Sequence, residues 1–251
     1  MKGRRVCSLV ATVALQGCQG SSAVELSADP PERVLFVGNS FTFYNNGLHG
    51  HYRAMVVERS GLPGLVRALT LSGAKLREHR AGLRQRLAEQ RWDAVLLQGH
   101  SNAPLLDPER FLEAASSHAA RIRAGGARPY LLMTWAYTGQ PEMTAQLDSL
   151  YRDAAERAGA GVVPAGLAFA RATEAHPEIS LRTEDRKHPT LAGTYLTACV
   201  AFATLRGESP VGLAYTAGLP ETVASTLQRA AWQTAQVFDA RPRSTSNHAS
   251  H

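Results

Sequence analysis

The chain has 251 residues, of which 44% are hydrophobic and 19% are charged. One ordinary domain of this size buries a full core, so neither disulfides nor a structural metal are needed to hold it together. The three cysteines form no ligand cluster, because Cys7 and Cys18 lie near the start of the chain and Cys199 lies in an apolar run. We therefore expect Cys199 to be a buried core thiol.

The formal net charge of +6 depends partly on the first eighteen residues, which hold three of the 27 basic residues and none of the 21 acidic ones. The rest of the chain therefore has 24 basic and 21 acidic residues, a net charge of +3. Its arginines alternate with acidic residues along predicted helices and do not cluster on one face, and no nucleic-acid-binding module is present in the sequence. We expect no nucleic-acid partner.

Residues 1–18 have the layout of a secretory signal, with a basic start, an apolar stretch and a small-residue exit. The last four, Leu15-Gln16-Gly17-Cys18, resemble a bacterial lipobox, which predicts that Cys18 becomes a lipid-bearing N-terminus after cleavage. The alternative is an ordinary signal peptide cut nearby, with a soluble exported product. Because Gln19 follows the cysteine, we expect an outer-membrane address in a Gram-negative host, with the lipid anchor as the only contact with the membrane.

Residues 19–31 are small, polar and proline-bearing, and they predict a linker; residues 32–240 form the predicted domain, and residues 241–251 a disordered tail. Within the domain, short apolar runs alternate with amphipathic stretches. The predicted strands are 33–37, 66–71, 94–98, 129–134 and 161–164. The predicted helices are 48–59, 75–90, 108–124, 142–158, 190–206 and 220–239.

This alternation predicts an α/β fold with right-handed crossovers: a three-layer α/β/α sandwich around a five-stranded parallel sheet, flavodoxin-like in type. Ligands gather at the carboxyl ends of the strands in such sheets. Ser40, Gly73 and Asn102 follow the ends of the first, second and third predicted strands. We therefore expect these three residues to share one edge of the sheet.

Ser40 and the pair Asp185-x-x-His188 provide the three groups of a serine hydrolase. A serine hydroxyl becomes a good nucleophile when a histidine takes its proton, and a carboxylate fixes the tautomer of that histidine. The spacing of three places Asp185 and His188 on one face of a turn or of the first turn of a helix. Pro189 is predicted to start the next helix, in the first position that proline favours. The alternatives are that Ser40 caps a helix and that Asp185 caps the next one.

These residues resemble the SGNH (GDSL-like) hydrolases, through Gly38-Asn39-Ser40 after the first strand and Asp185-x-x-His188 near the C-terminus. The likeness covers Arg33 to Arg206. It implies an oxyanion hole formed by the backbone N–H groups of Ser40 and Gly73 and by the side-chain amide of Asn102. The third block is altered, because His100 stands where the family usually has glycine, and Gln98 is a competing donor. The resemblance implies no cofactor.

Other catalytic motifs are missing from the sequence. Gly38-Asn39-Ser40-Phe41-Thr42 lacks the second glycine of an α/β-hydrolase elbow. The chain has no P-loop, dinucleotide fingerprint, His-Glu-x-x-His or paired Cys-x-x-Cys. His49 and His51 lie near two asparagines, but no carboxylate accompanies them at ligand spacing, so we interpret them as polar residues of the first long helix and expect no metal site.

His100, Trp135 and Tyr137 follow the third and fourth strands, and they are predicted either to line the mouth of the cleft or to pack under its loops. At the mouth they would suit a sugar ring or an acyl chain equally well. The leading prediction is an exported esterase that removes a small acyl group, such as acetyl, from a small ester or an acylated glycan. A noncatalytic carbohydrate-binding lipoprotein and a metal-assisted phosphoester hydrolase using Asp185 and His188 are the alternatives.

Overall fold

The computed structural model describes residues 29–239. The predicted signal segment with Cys7 and Cys18, most of the linker and the C-terminal tail lie outside the described residues. Within residues 29–239, no helix has both the length and the hydropathy needed to cross a membrane.

Residues 29–239 form one parallel sheet with helices on both faces. Its strands are β1 (Arg33–Gly38), β2 (Leu65–Thr70), β3 (Ala94–Gln98), β4 (Arg128–Leu132) and β5 (Gly161–Val163). The helices are α1 (Ser40–Phe43), α2 (Leu48–Ser60), α3 (Arg80–Glu89), α4 (Ala103–Leu106), α5 (Pro108–Ala124), α6 (Met143–Ala158), α7 (Ala165–Ala175), α8 (Leu191–Arg206) and α9 (Glu221–Asp239), with a 3₁₀ turn at Leu76–His79.

The strand order is β2-β1-β3-β4-β5, and every neighbouring pair is parallel. Val34 of β1 lies beside Val66 of β2 on one side and Ala94 of β3 on the other. The predicted three-layer α/β/α sandwich is confirmed. The direction of the chain across the sheet reverses between β1 and β3, and ligands in such sheets bind in the crevice at that reversal.

The two faces of the sheet lie in separate hydrophobic cores. In β1, Val34 and Phe36 point to the core that contains α8, whereas Leu35 and Val37 point to the core that contains α5 and α6. A strand covered on both faces has no solvent side, which explains why β1 and β3 are continuously apolar. Cys199 is fully buried in α8, as predicted, and burial raises the pKa of its thiol.

Three helices were not expected from the sequence, namely α1, α4 and α7, and the predicted helix 75–90 is a 3₁₀ turn followed by α3. The prediction that Pro189 is the first residue of a helix is wrong. Thr190 caps α8 by accepting a hydrogen bond from Gly193 N at 3.2 Å. Pro189 instead forms an antiparallel bridge with Arg182, so the Asp185 turn ends in an extended segment before the helix begins.

Candidate active site

The turn after β1 needs a glycine at position 38. A Cβ there would overlap Thr42 Oγ1 and Gln98 Oε1. The next residue, Asn39, caps α1 by accepting a hydrogen bond from Phe41 N at 3.1 Å, and its Nδ2 donates to the carbonyl of Ala74 at 3.0 Å. The turn that carries Ser40 is therefore fixed against the loop after β2.

Gln98 holds the same turn from below. Its Oε1 accepts hydrogen bonds from Asn39 N and Thr42 Oγ1, both at 2.9 Å, and its Nε2 donates to the carbonyl of Gly99. The side chain is 1% exposed. Because the amide is buried and bonded at both ends, Gln98 joins β1 to β3 and is poorly placed to reach a substrate.

The carboxylate of Asp185 organises the loop that carries His188. Its Oδ1 accepts from Thr183 Oγ1 at 2.8 Å, from His188 N at 2.9 Å and from Lys187 N at 3.0 Å. Its Oδ2 binds Nδ1 of His188. Arg186, at the tip of the turn, has a φ of 69°, a left-handed conformation that costs a residue with a Cβ about 1–3 kcal/mol.

Desolvation raises the pKa of Asp185, but hydrogen bonds from His188, from the backbone and from Thr183 outweigh it and hold that pKa well below its ordinary value. Asp185 therefore stays ionised through the mildly acid range. Its contribution to stability is present above the ordinary carboxyl pKa of about 4, and it is lost only as the pH falls towards the lowered pKa.

Ser40 Oγ lies 2.9 Å from Nε2 of His188. Because Nδ1 faces the ionised Asp185, the proton belongs on Nδ1, and Nε2 is free to accept the proton of Ser40. Two aromatic rings fix the imidazole. Tyr44 stacks on it with ring centroids 4.6 Å apart, and Phe41 meets it edge-on at 5.4 Å.

Of the two alternatives predicted for Trp135, the structure shows packing under the loops, because Trp135 is fully buried. Its indole is stacked between Phe41 and Phe169, with ring centroids 4.6 Å and 4.2 Å away. Its Nε1 donates to the carbonyl of Lys187 at 2.9 Å. Trp135 therefore supports both the serine turn and the histidine loop from beneath.

Tyr137 and His100 are half-buried at the same edge of the sheet. The hydroxyl of Tyr137 lies 2.7 Å from Ser101 Oγ and so joins the loop after β4 to the loop after β3. Burial lowers the pKa of His100, the charges of Lys75 and Lys187 lower it further, and a hydrogen bond with Asn102 opposes them. His100 is thus a neutral group near two cations at neutral pH.

The two remaining oxyanion candidates lie on loops that are tied to the serine turn. Gly73 has a φ of 64°, which favours glycine, and no atom lies within 4 Å of the position a Cβ would take. Asn102 precedes α4, and its side chain does not cap that helix. The Ser101 carbonyl is held by Thr134 Oγ1 at 2.9 Å, which fixes the backbone beside Asn102.

Tyr44 and Thr183 were not identified from the sequence, although both contact the pair Asp185 and His188. A hydroxyl two residues before the aspartate was the available signal for Thr183, because Thr side chains often bond to neighbouring groups in turns. Nothing in the sequence indicated that Tyr44 stacks on a ring so far along the chain.

Comparison with solved structures finds proteins with a similar fold. A protein from Slackia heliotrinireducens, described as a candidate SGNH hydrolase, is 26% identical, with a TM-score of 0.59 over 68% of this chain and 97% of that one. The fold is that of the SGNH hydrolases. A DUF4886 family protein from Bacteroides uniformis is 18% identical, with a TM-score of 0.66 over 84% of this chain and 97% of that one.

Among the other SGNH-like neighbours is an acetylxylan esterase from Geobacillus stearothermophilus, 16% identical, with a TM-score of 0.59 over 73% of this chain and 98% of that one. No family model matches the sequence, and no curated protein matches it. At 16% identity, the likeness to the acetylxylan esterase is one of fold alone.

Proposed function

We propose that the protein is a serine esterase that removes a small acyl group, such as acetyl, from an acylated carbohydrate. The observation that carries the proposal is the continuous chain of contacts from Ser40 Oγ through His188 to Asp185. The acetylxylan esterase among the structural neighbours supports the choice of acyl group and alcohol.

In this mechanism, Ser40 Oγ attacks the ester carbonyl while Nε2 of His188 takes its proton, and Asp185 stabilises the imidazolium that forms. The histidine then gives the proton to the departing alcohol. A water molecule attacks the acyl-serine in the second half of the reaction, again losing its proton to His188, and the acid leaves with Ser40 restored. The low pKa of Asp185 suits a carboxylate that must remain charged throughout.

The oxyanion of the tetrahedral intermediate needs donors aimed at it. Ser40 is the first residue of α1, so its N–H has no partner within the helix and is available. Gly73 N–H and the side-chain amide of Asn102 are the other two donors of the proposal. The burial of Gln98 and its bonds to Asn39, Thr42 and Gly99 favour Asn102 over Gln98 for this role.

Hydrolysis of p-nitrophenyl acetate and of acetylated xylo-oligosaccharides, with and without EDTA, tests the proposed function. We expect turnover of both substrates and no effect of the chelator. Turnover of neither ester would contradict the esterase proposal and favour a noncatalytic carbohydrate-binding protein. Cleavage of a phosphoester that EDTA abolishes would favour the metal-assisted alternative.

Replacing Asn102 with alanine is expected to lower kcat about a hundredfold or more, with little change in KM and in Tm, because the amide acts on the transition state. Replacing Gln98 with alanine is expected to lower Tm, because it leaves buried groups of the serine turn without partners, at about 1–3 kcal/mol each. Steady-state kinetics and thermal unfolding of both variants measure this. If Gln98→Ala lowered kcat with an unchanged Tm while Asn102→Ala kept the wild-type kcat, Gln98 and not Asn102 would be the oxyanion donor.

We also propose that the protein is exported and held at the membrane through a lipid on Cys18. The pattern of residues 1–18 supports the anchor. The chain enters β1 at Arg33, at the end of the strand opposite Ser40. Mass spectrometry of the membrane fraction is expected to find an acylated Cys18 as the N-terminus; an unmodified N-terminus elsewhere would refute the anchor.

A further inference from the structure

A cavity of about 650 Å³ opens beside the catalytic loop, and we call it the side cavity. Its walls come from the turn after Tyr44 and from the loop before α9, and they include Asn45, Asn46, Leu191, Tyr215, Thr216 and Ala217. Small-ligand sites have volumes of about 300–1,000 Å³. The side cavity therefore has room for a small molecule or for part of a larger one.

The side cavity is joined directly to the catalytic histidine loop. Nδ2 of Asn45 donates to the carbonyl of Pro189, the residue after His188, at 2.9 Å, and to Thr194 Oγ1 at 2.8 Å. Asn45 is five residues from Ser40, and three of those steps are helical, so their Cα atoms are at most about 12 Å apart. A saccharide whose acyl ester is attacked by Ser40 needs to be only a few rings long to reach the cavity.

Backbone strain is concentrated around the side cavity. Within residues 29–239, the non-glycine residues with left-handed φ are Asn45, Asn46, Arg186 and Ala217. Arg186 belongs to the catalytic loop, and the other three line the side cavity. Asparagine adopts this conformation readily, whereas at Ala217 it costs about 1–3 kcal/mol. Such conformations cluster at active sites and ligand clamps, so the side cavity is a candidate ligand site.

The chemistry of the walls suits a neutral polyhydroxyl ligand. Among the described residues that line it, none is Asp, Glu, Lys or Arg, and burial lowers the pKa of His51 so that its ring is neutral. Within residues 29–239, the side chains of Asn46 and Thr216 have no hydrogen-bond partner. An amide and a hydroxyl together offer donors and acceptors of both kinds.

The wall behind these free groups is rigid. Nε2 of His51 donates to the carbonyl of Asn45 at 2.7 Å, and its Nδ1 accepts from the hydroxyl of Tyr215, also at 2.7 Å. The backbone N–H groups of Ala214 and Tyr215 are bound by the carboxylate of Glu58. The two loops that form the cavity are thus fixed to each other before any ligand arrives.

We propose that the side cavity binds a sugar ring of the acylated saccharide, on the alcohol side of the ester; this inference rests on the proposed function. Asn46 and Thr216 hydrogen-bond the sugar hydroxyls, and the apolar surfaces of Leu191, Tyr215 and Ala217 cover its C–H face. The absence of formal charge disfavours phosphorylated ligands. The free amide and hydroxyl favour a polyhydroxyl ligand over a long acyl chain, because an acyl chain offers them no hydrogen-bond partner.

The specificity ratio tests the proposal: kcat/KM for an acetylated xylo-oligosaccharide divided by kcat/KM for p-nitrophenyl acetate. The double variant Asn46→Ala, Thr216→Val is expected to lower this ratio about tenfold. Gln233→Ala, which removes an exposed amide on α9 far from the cavity, is the matched control and should leave the ratio unchanged. Either of two results would overturn the proposal. One is an unchanged ratio in the double variant, and the other is a kcat/KM of the wild type that is higher for long acyl esters than for the acetylated xylo-oligosaccharide.

Binding of unacetylated xylotriose to Ser40→Ala protein, followed by NMR chemical shifts, separates this inference from the proposed function. We expect shifts around residues 45–46 and 214–218 that weaken in the double variant. If the wild type hydrolyses no ester but these shifts occur, the proposed function fails and the sugar site stands. If esters are hydrolysed but xylotriose causes no shifts there, the sugar site fails alone.

Discussion

Replacement of Ser40 with alanine is expected to abolish ester hydrolysis, with a loss of kcat on the order of 10⁴-fold or more. The substitution removes the oxygen that lies 2.9 Å from Nε2 of His188 and leaves the rest of the site in place. Only an atom of a half-buried side chain is deleted, so Tm should change little. Steady-state kinetics with p-nitrophenyl acetate and thermal unfolding measure both effects.

Ser72→Ala is the matched control for this experiment, because Ser72 is an exposed serine in the loop after β2 and is not one of the hydrogen-bond partners of Ser40, Asp185 or His188 within residues 29–239. It should retain nearly normal turnover. If purified Ser40→Ala keeps more than a few per cent of wild-type turnover, Ser40 is not the nucleophile.

The second large effect concerns the pair His188 and Asp185. His188→Ala is expected to be nearly as damaging as Ser40→Ala, because within residues 29–239 His188 is the side chain that lies at hydrogen-bond distance from Ser40 Oγ. Asp185→Ala should leave more activity, because it removes the group that orients and stabilises the base while the base itself remains. The double variant should be scarcely worse than His188→Ala, because residues that act as one unit do not have additive effects.

Kinetics of the two single variants and the double variant form a complete cycle. If the losses simply multiply, Asp185 and His188 do not act as one unit. Glu184, the adjacent exposed carboxylate, would then be the next residue to replace. Thermal unfolding is needed alongside, because Asp185 also holds the turn through Thr183 and the N–H groups of Lys187 and His188.

The layers of the fold were predictable because the strands are short, apolar and well separated. The range predicted for β3, 94–98, agrees with the structure at both ends. The short helices α1 and α4 have too few residues for a periodic pattern, so the sequence could not reveal them. The sequence predicts that α8 begins at Pro189, whereas the helix begins at Leu191 after the Thr190 cap. A proline near a helix start is typical of the first helical position, and the sequence did not show that Pro189 lies before the cap instead.

The candidate site was predictable to the extent that parallel strands bring their carboxyl ends together. The structure places Ser40, His188 and Asp185 in contact and places Gly73 and Asn102 on neighbouring loops. The environment of Trp135 could not be predicted. A residue that follows a strand is expected at the edge of the sheet, but the sequence does not show whether its side chain points into the core. The side cavity was also invisible, because its two loops, around positions 45 and 215, meet only in the folded chain.

Covalent labelling with a fluorophosphonate tests most directly whether Ser40 is an activated nucleophile. Wild-type protein treated with the probe and analysed by peptide mass spectrometry is expected to carry one phosphonyl group, on Ser40, with loss of esterase activity in proportion to labelling. Ser40→Ala and His188→Ala proteins should remain unlabelled. Stoichiometric labelling of another residue, or full esterase activity in a protein that the probe does not modify, would contradict the account.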